Sequence, residues 1–254
     1  MLYDPASRYK WRQETGLMET QMSVPEVIRR RRTVRGFKPD PVPEEIVREL
    51  ARLATCAPSS WNLQPWRIVV VTDEAVRLAL QRASYNQKQV GEAPVTFVFA
   101  FSLGGWRQDL EPMTAQAERL GAWSPEYAAG VRRNAPTQQE LLDKRGLMRE
   151  FCLRDTVVAA TQTALAAESL GLATCLMSGW QEQRIKAAIG AAGDDDLGIG
   201  LLLDMGYSVE LPRSPGRFPV SHTVSWNRLG VPFPDPRQSG AEGLENNLET
   251  ARHD

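Results

Sequence analysis

The chain carries the heptapeptide RRRRTVR at residues 29–35, which places five arginines in seven positions. A solvated helix normally mixes carboxylates into such a run, so that ion pairs form between residues three or four apart. Guanidinium groups bind phosphate through paired hydrogen bonds, and the hydroxyl of Thr33 adds another donor. The segment therefore predicts a site for a phosphate monoester, with a solvated basic helix end as the alternative.

A second polar segment, PSSWNLQPW at residues 58–66, directly precedes a predicted strand. Its hydroxyl and amide groups can recognise the edge of a planar heterocycle by hydrogen bonds. A well-capped turn is the alternative. Two further polar stretches are weak evidence by themselves. We interpret residues 86–89 as solvated surface and residues 212–219 as a rigid loop with two arginines.

The rest of the pattern predicts an α+β or α/β core. Buried strands are expected at residues 68–71, 95–101, 172–177 and 199–203. Helices are expected from Ser23 to the arginine run and at residues 43–54, 73–84, 151–170 and 181–189. The helix at 151–170 is rich in alanine, which suits close helix packing, and Gly171 is its expected C-cap.

We interpret residues 1–22 as an extension, 23–226 as one domain, and 227–254 as a C-terminal arm that is extended or disordered. Residues 103–150 form an insertion that glycines and prolines interrupt, and we expect it to be partly helical. Its large apolar side chains follow no clean helical stripe, so we interpret it as a mobile cover. The side chains are Trp106, Met113, Trp123 and Tyr127.

Composition excludes several classes of protein. The chain has 254 residues, and its net charge of −1 provides no overall basic field for nucleic acid or anionic lipid. The longest apolar stretches fall short of the roughly 18 residues that span a bilayer, and the first 22 residues lack the apolar core of a secretory signal. Three widely separated cysteines argue against a disulfide framework or a zinc site and favour the cytoplasm. No glycine-rich dinucleotide or Walker motif occurs, and no GxSxG elbow accompanies the two histidines.

Residues 31–37 and 58–66 together resemble the flavin-dependent nitroreductase family, and the likeness extends over about residues 24–226. The resemblance implies a nitroreductase-like α+β fold, in which helices flank a central mixed or antiparallel sheet of four or five strands. It also implies an intertwined homodimer with exchanged C-terminal arms and FMN at the subunit interface.

The resemblance carries roles over to individual residues. One set of residues would hold the phosphate, the ribityl chain and the pyrimidine edge of FMN. This set is Arg31, Thr33 and Arg35, with Arg32 beside them. Arg217 and, more weakly, Arg213 would reach the phosphate from the C-terminal loop. Pro58, Ser59, Ser60 and Asn62 would act across the subunit boundary. Asn86 and Gln89 would approach the pyrimidine end. Leu176, Met177, Ser178 and Gly179 would line the isoalloxazine and present a backbone N–H near N5.

The implied activity is an oxidoreductase in which NAD(P)H reduces FMN at N5 and a flat acceptor, such as a nitroaromatic or a quinone, then takes the electrons by ping-pong. Such chemistry needs no acid or base from the protein. Gln89 stands where some members of the family have Lys, and Ser178 stands where others have Glu. This chain therefore has less formal charge around the flavin ring than those members. Oxygen-dependent flavin fragmentation, reductive dehalogenation and a non-enzymatic flavin-binding protein are the alternatives.

Overall fold

The computed structural model describes residues 22–210 and 213–234. The first range belongs to one compact unit and the second to another, and each is described by itself. The expectations for residues 1–21 and 235–254 lie outside the described residues.

Within the described residues, a four-stranded antiparallel sheet forms the centre of the first unit. Its strands are β1 (Trp66–Val71), β2 (Val95–Ser102), β3 (Ala173–Met177) and β4 (Leu197–Gly206), in the spatial order β1-β2-β4-β3. All three neighbouring pairs are antiparallel. Every residue of β2 is buried, as the continuous apolar run at 95–101 predicted. The four predicted strands are thus confirmed, with bounds that differ by a few residues.

Helices cover both faces of this sheet. The helices of the first unit are α1 (Val24–Arg30), α2 (Glu44–Thr55), α3 (Glu74–Ala83), α4 (Lys88–Glu92), α5 (Glu111–Arg119), α6 (Pro125–Lys144), α7 (Met148–Ser169) and α8 (Glu182–Ala188). Helices α2 and α7 pack on the face that carries Phe97 and Phe99. Helices α3, α4 and α8 pack on the opposite face, against Val98 and Ala100. Successive side chains of β2 point to opposite faces of the sheet, and the core is therefore divided into two layers.

Helix α7 crosses the sheet closely because its inner positions are small. Ala159, Ala160, Ala164 and Ala167 are all buried in the layer that includes Phe97. Gly171 follows the helix with a φ of +80°, in the left-handed region that glycine adopts without steric cost. The predicted small-residue helix is confirmed, but its C-cap is Leu170 and Gly171 lies one residue beyond it.

The insertion is more regular than the sequence indicated. Helix α6 continues through Pro136 for 20 residues, and its buried positions, Ala128, Val131, Ala135 and Gln139, recur every three or four residues. This is a helical stripe, but two of its four residues are alanine and one is a polar glutamine. The expectation of a partly helical segment without a stripe came from the large side chains alone and missed it.

The insertion also has its own apolar cluster, which joins it to the rest of the unit. Val131 and Ala135 pack with Phe101 of β2, Leu63 and Phe151 at the start of α7. Ion pairs add to this packing: Arg132 contacts Glu118 at 3.2 Å, and Arg107 contacts Asp143 at 2.6 Å. The insertion is therefore attached through β2 and α7.

The second unit contains one short helix, α9 (Val220–Thr223), within residues 213–234. Ser225 and Pro232 form an isolated β-bridge, and the rings of Trp226 and Phe233 lie 5.4 Å apart. An extended or disordered arm from residue 227 onward remains a prediction.

Asp204 is a buried carboxyl in the middle of the sheet. It lies opposite Thr96 on β2 and Cys175 on β3, and the Thr96 hydroxyl donates to Oδ1 at 2.8 Å. Oδ2 has no hydrogen-bond partner among the described residues. Burial raises the pKa of Asp204 to about 7, although the Thr96 hydrogen bond acts in the opposite direction.

We expect the free energy of unfolding to fall as the pH rises from about 4, the usual pKa of Asp, to about 7. The folded state keeps a proton over this range that the unfolded chain releases. Asp204→Asn keeps an acceptor for Thr96 and removes the charge. Its melting temperature should exceed that of the wild type at about pH 8 by at least about 4 °C, since 1 kcal/mol shifts it by roughly 2–4 °C.

The matched control is Asp195→Asn at an exposed position, which should leave the pH dependence unchanged. If the melting temperatures of wild type and Asp204→Asn change with pH in parallel from about pH 4 to about pH 8, Asp204 is not held protonated in the fold.

Candidate functional site

The arginine segment lies along the edge of the sheet as helix α1 ends. The backbone N–H of Val34 donates to the carbonyl of Thr174 on β3 at 3.0 Å, and Thr33 forms a parallel bridge with the same residue. Val34 and Phe37 are buried in the layer beside α3 and α4. Thr33 and Arg35, which flank Val34, are exposed. Edge pairing and two apolar anchors thus set the direction of the polar side chains.

Arg31 and Arg32 have different environments. The Nη1 atom of Arg31 is buried and has no hydrogen-bond partner among the described residues. Nη1 of Arg32 instead turns back to the carbonyls at the end of α1, including that of Arg31 at 2.9 Å. A buried guanidinium nitrogen without an acceptor costs free energy, which an anionic ligand would recover. Arg31 therefore fits a phosphate, whereas Arg32 caps the helix.

A carboxylate that sequence reasoning missed lies beside this cluster. Glu168 of α7 approaches Nε of Arg30 at 3.9 Å. Burial raises the pKa of Glu168, and the charges of Arg30, Arg31 and Arg32 oppose that rise. The arginine run lacks local acidic neighbours, but the fold supplies one from a distant helix.

The loop at residues 58–66 is strained and tightly fastened. Trp61, Asn62 and Gln64 have φ values of 56°, 56° and 47°, which are unusual for residues other than glycine. The backbone N–H of Ser60 donates to Asp155 of α7 at 3.0 Å. The hydroxyl of Ser59 accepts from the N–H of Gln64, also at 3.0 Å. The loop is held by α7 and by itself.

Asp155 is another residue that sequence reasoning missed. Its carboxyl group is buried, which raises its pKa, while the two hydrogen bonds from Ser60 oppose the rise. Asp155 follows Cys152 by three residues and precedes Ala159 by four, so it shares their buried face of α7. That spacing was the signal that could have found it.

A second strained turn connects α3 with α4. Tyr85 and Asn86 both have left-handed φ values, 56° and 57°. Asn86 is exposed, whereas Gln89 is buried, so interpreting this stretch as solvated surface was wrong for Gln89. The Gln89 amide donates to Sδ of Met177 at 3.1 Å. The turn therefore contacts the end of β3.

Residues 176–179 alternate in exposure as β3 ends. Leu176 and Ser178 are exposed, Met177 is buried, and Gly179 is partly buried. The structure thus places two of the assigned segments along β3: residues 31–35 pair with it near Thr174, and residues 86–89 contact it at Met177. The loop at 58–62 is fastened elsewhere, to α7.

All of these segments fall within the part of the chain that matches a known protein family. A protein-family model described as the nitroreductase family matches residues 28–207. The chain belongs to the nitroreductase family. A relative named NADH dehydrogenase, from Thermus thermophilus, is 33% identical over 201 residues, which cover 78% of this chain and 92% of that protein.

Solved structures of other nitroreductase-like proteins have a similar fold. A protein of Exiguobacterium sibiricum described as a nitroreductase, in complex with FMN, has a TM-score of 0.71 and 25% identity, covering 82% of this chain and 99% of that one. A protein of Staphylococcus epidermidis described as an NAD(P)H:FMN oxidoreductase has a TM-score of 0.74 and 23% identity, covering 82% of this chain and 98% of that one. The nitroreductase-like α+β fold is confirmed.

Two assigned arginines lie beyond the nitroreductase match, in the second unit. Arg213 and Arg217 are exposed, and Nη1 of Arg217 donates to the carbonyl of Gly216 at 2.6 Å. Their approach to a phosphate stays a prediction.

The large apolar side chains of the insertion differ in burial. Trp106, Met113 and Trp123 pack partly buried against the insertion's own cluster. Tyr127 is 54% exposed and meets Trp123 edge-on at 5.1 Å. Met113 also lines a cavity of about 320 Å³ together with Asn62 and Gln64 of the strained loop. The insertion thus borders that loop, and three of its four large side chains also support its packing.

Among the described residues, no helix is long and apolar enough to span a membrane. The same residues contain no cluster of three or more side chains suited to hold a metal ion.

Proposed function

We propose that this nitroreductase-family protein is an FMN-dependent oxidoreductase. NAD(P)H is its electron donor, and a flat small molecule, such as a nitroaromatic or a quinone, is its second substrate in a ping-pong cycle. The relative named NADH dehydrogenase and the FMN complex of the Exiguobacterium protein support the donor and the cofactor. We further propose that it acts in the cytoplasm, where its three free cysteines stay reduced.

The main support for this proposal is the location of the strained backbone conformations. Within residues 22–210, the non-glycine residues with positive φ are Trp61, Asn62, Gln64, Tyr85 and Asn86. All of them fall in the two loops that the family resemblance assigns to the flavin. Such conformations cost about 1–3 kcal/mol each and concentrate at ligand sites, where surrounding structure maintains them. The two loops that the sequence assigns to the flavin are thus also the loops with positive φ at residues other than glycine, which supports the assignment.

The residues around the proposed site bind and orient instead of exchanging protons. Arg31 offers a buried donor to a phosphate, and Arg35 and Thr33 are exposed on the same segment. Gln89 and Ser178 bring no formal charge. Bound FMN would supply the hydride and electron transfer, which leaves binding, orientation and electrostatic tuning to the protein.

We propose that two copies of the chain assemble through α1 and α7. Val157 and Val158 are about two-fifths exposed on α7. With Leu165 and Val24 they line an open apolar groove of about 630 Å³. Apolar surface of this kind is costly in water and is typical of a subunit interface. A second copy would also let the loop at 58–62 reach a flavin held by its partner.

The cofactor is tested by an absorbance spectrum followed by flavin titration of the apoprotein. We expect bands typical of oxidised flavin, which bleach on anaerobic addition of NAD(P)H. Arg31→Ala should weaken FMN binding roughly ten-fold to a hundred-fold, because a hydrogen bond to a charged group contributes about 1.5–3 kcal/mol. Riboflavin, which lacks the phosphate, should lose much less.

Arg29→Ala is the matched control, since Arg29 is an exposed arginine of the same run. A colourless protein that FMN cannot reconstitute would end the proposal. Equal losses for FMN and riboflavin in Arg31→Ala would remove Arg31 from the phosphate site.

Assembly is tested by Val158→Glu, which places a charge in the apolar groove of α7. We expect a shift from dimer to monomer in sedimentation analysis and a parallel loss of FMN affinity, since each site needs both chains. Val70→Glu makes the same change at an exposed valine of β1 and should leave the dimer intact. If Val158→Glu stays dimeric, the interface lies elsewhere.

The role of the insertion is tested by comparing two neighbouring aromatic residues. Tyr127→Ala removes an exposed ring, so the KM for the acceptor should change while the melting temperature stays constant. Trp123→Ala removes a partly buried ring and should also lower the melting temperature. If Tyr127→Ala leaves acceptor kinetics unchanged for nitroaromatics and quinones alike, Tyr127 does not belong to the acceptor site.

A further inference from the structure

The segment that follows β3 is fastened to the strained turn between α3 and α4 at several points. The bonds are Gln181 N–H to Ala83 O at 2.8 Å, Gln87 Nε2 to Gly179 O at 3.2 Å, and Gln89 Nε2 to Met177 Sδ at 3.1 Å. A further bond, from Gln89 Nε2 to Gln87 Oε1 at 3.2 Å, joins the two glutamines. Gln87 is therefore the residue that contacts both Gly179 and Gln89.

The chemistry of these partners determines how each amide is turned. A backbone carbonyl only accepts hydrogen bonds, so the Gln87 group that faces Gly179 must be its NH₂. The Oε1 atom of Gln87 then faces Gln89 and needs a donor, which only the NH₂ of Gln89 provides. The thioether sulfur of Met177 is a weak acceptor and takes the other N–H. Both N–H groups of Gln89 are thus used within the protein, which leaves its Oε1 for a ligand.

The contact at Gly179 is also a close one. A Cβ atom at this position would lie 3.3 Å from Nε2 of Gln87, tighter than most contacts of a real side chain. The amide of Gln87 therefore packs directly over the glycine backbone. A side chain at position 179 would push Gln87 away and disturb its bonds.

We infer that Gln87 is a positioning residue of the flavin site, which holds Gly179 and Gln89 in a fixed relation to each other. The inference rests on the proposed function, because the family resemblance assigns Gly179 to the N5 side of the flavin and Gln89 to its pyrimidine end. Gln87 belongs to neither set. It acts by turning the donors of Gln89 inward and by fixing the backbone at Gly179.

Two substitutions separate hydrogen bonding from packing. Gln87→Met keeps the length of the side chain and removes both its donor and its acceptor. Gln87→Glu keeps an acceptor for Gln89 in either protonation state, but only the protonated acid can donate to Gly179. Partial burial and the adjacent carbonyl both disfavour the carboxylate and raise the pKa of the new carboxyl group.

The measurement is the Kd for FMN of each apoprotein at about pH 5 and about pH 8, relative to wild type at the same pH. Gln87→Met should bind FMN about ten-fold more weakly at both values, as expected for the loss of two neutral hydrogen bonds. Gln87→Glu should be as weak at about pH 8 and should bind FMN more tightly than Gln87→Met at about pH 5, where more of its carboxyl group is protonated. Gln183→Met, at an exposed position of α8, is the control and should match wild type at both.

The change between about pH 8 and about pH 5 decides the inference, because protonation of Gln87→Glu supplies the donor to Gly179 that Gln87→Met lacks at every pH. If wild type binds FMN and Gln87→Met binds it equally well, Gln87 does not position the site. If both variants are equally weak at both pH values, Gln87 contributes only to folding and the inference is wrong. If wild type fails to bind FMN, the proposed function is wrong and the inference falls with it.

Discussion

Backbone pairing between residues 33–37 and the edge of the sheet is the constraint on which the site depends. Hydrogen bonds at Val34 and Lys38 join this segment to β3 and to the residue that follows β4. Alternation along an extended chain then sends Val34 inward and its neighbours Thr33 and Arg35 outward. Without this pairing, five arginines in seven positions would be a flexible helix end with no defined direction.

The same strand also positions a second part of the candidate site, whereas the loop at 58–62 is held by α7. β3 pairs with the arginine segment near its start, and the residues that would line the ring follow its end. The turn between α3 and α4 contacts that far end, through Met177 and Gly179. One short strand thereby sets the spacing between the residues that the family resemblance assigns to the phosphate and those that it assigns to the ring. Such spacing is fixed by a rigid backbone and not by the side chains themselves.

Local patterns predicted most of the fold, because burial imposes a period on strands and helices that neighbouring residues share. The run at 95–101 and the alanines of α7 are examples. Contacts between distant residues could not be predicted in this way. Ser60 bonds to Asp155, 95 residues away, and Arg30 meets Glu168, which is still further from it along the chain. The stripe of α6 was missed because alanine contributes little to an apolar pattern that large side chains dominate.

Glu168 means that the arginine cluster is not a bare positive patch. Its carboxyl group lies 3.9 Å from Nε of Arg30, and the charges of Arg30, Arg31 and Arg32 oppose the rise in its pKa that burial causes.

The left-handed conformation of Trp61 has a consequence for engineering this protein. A bulky residue in that region is strained, and contact of its indole with the apolar cluster around Leu63 and Phe101 offsets the cost. Selection for heat resistance rewards substitutions that relieve such strain, and glycine at Asn62 or Gln64 would be among them. Libraries screened only for survival at high temperature would thus enrich sequences whose loop has lost its shape. Screening should include ligand affinity from the first round.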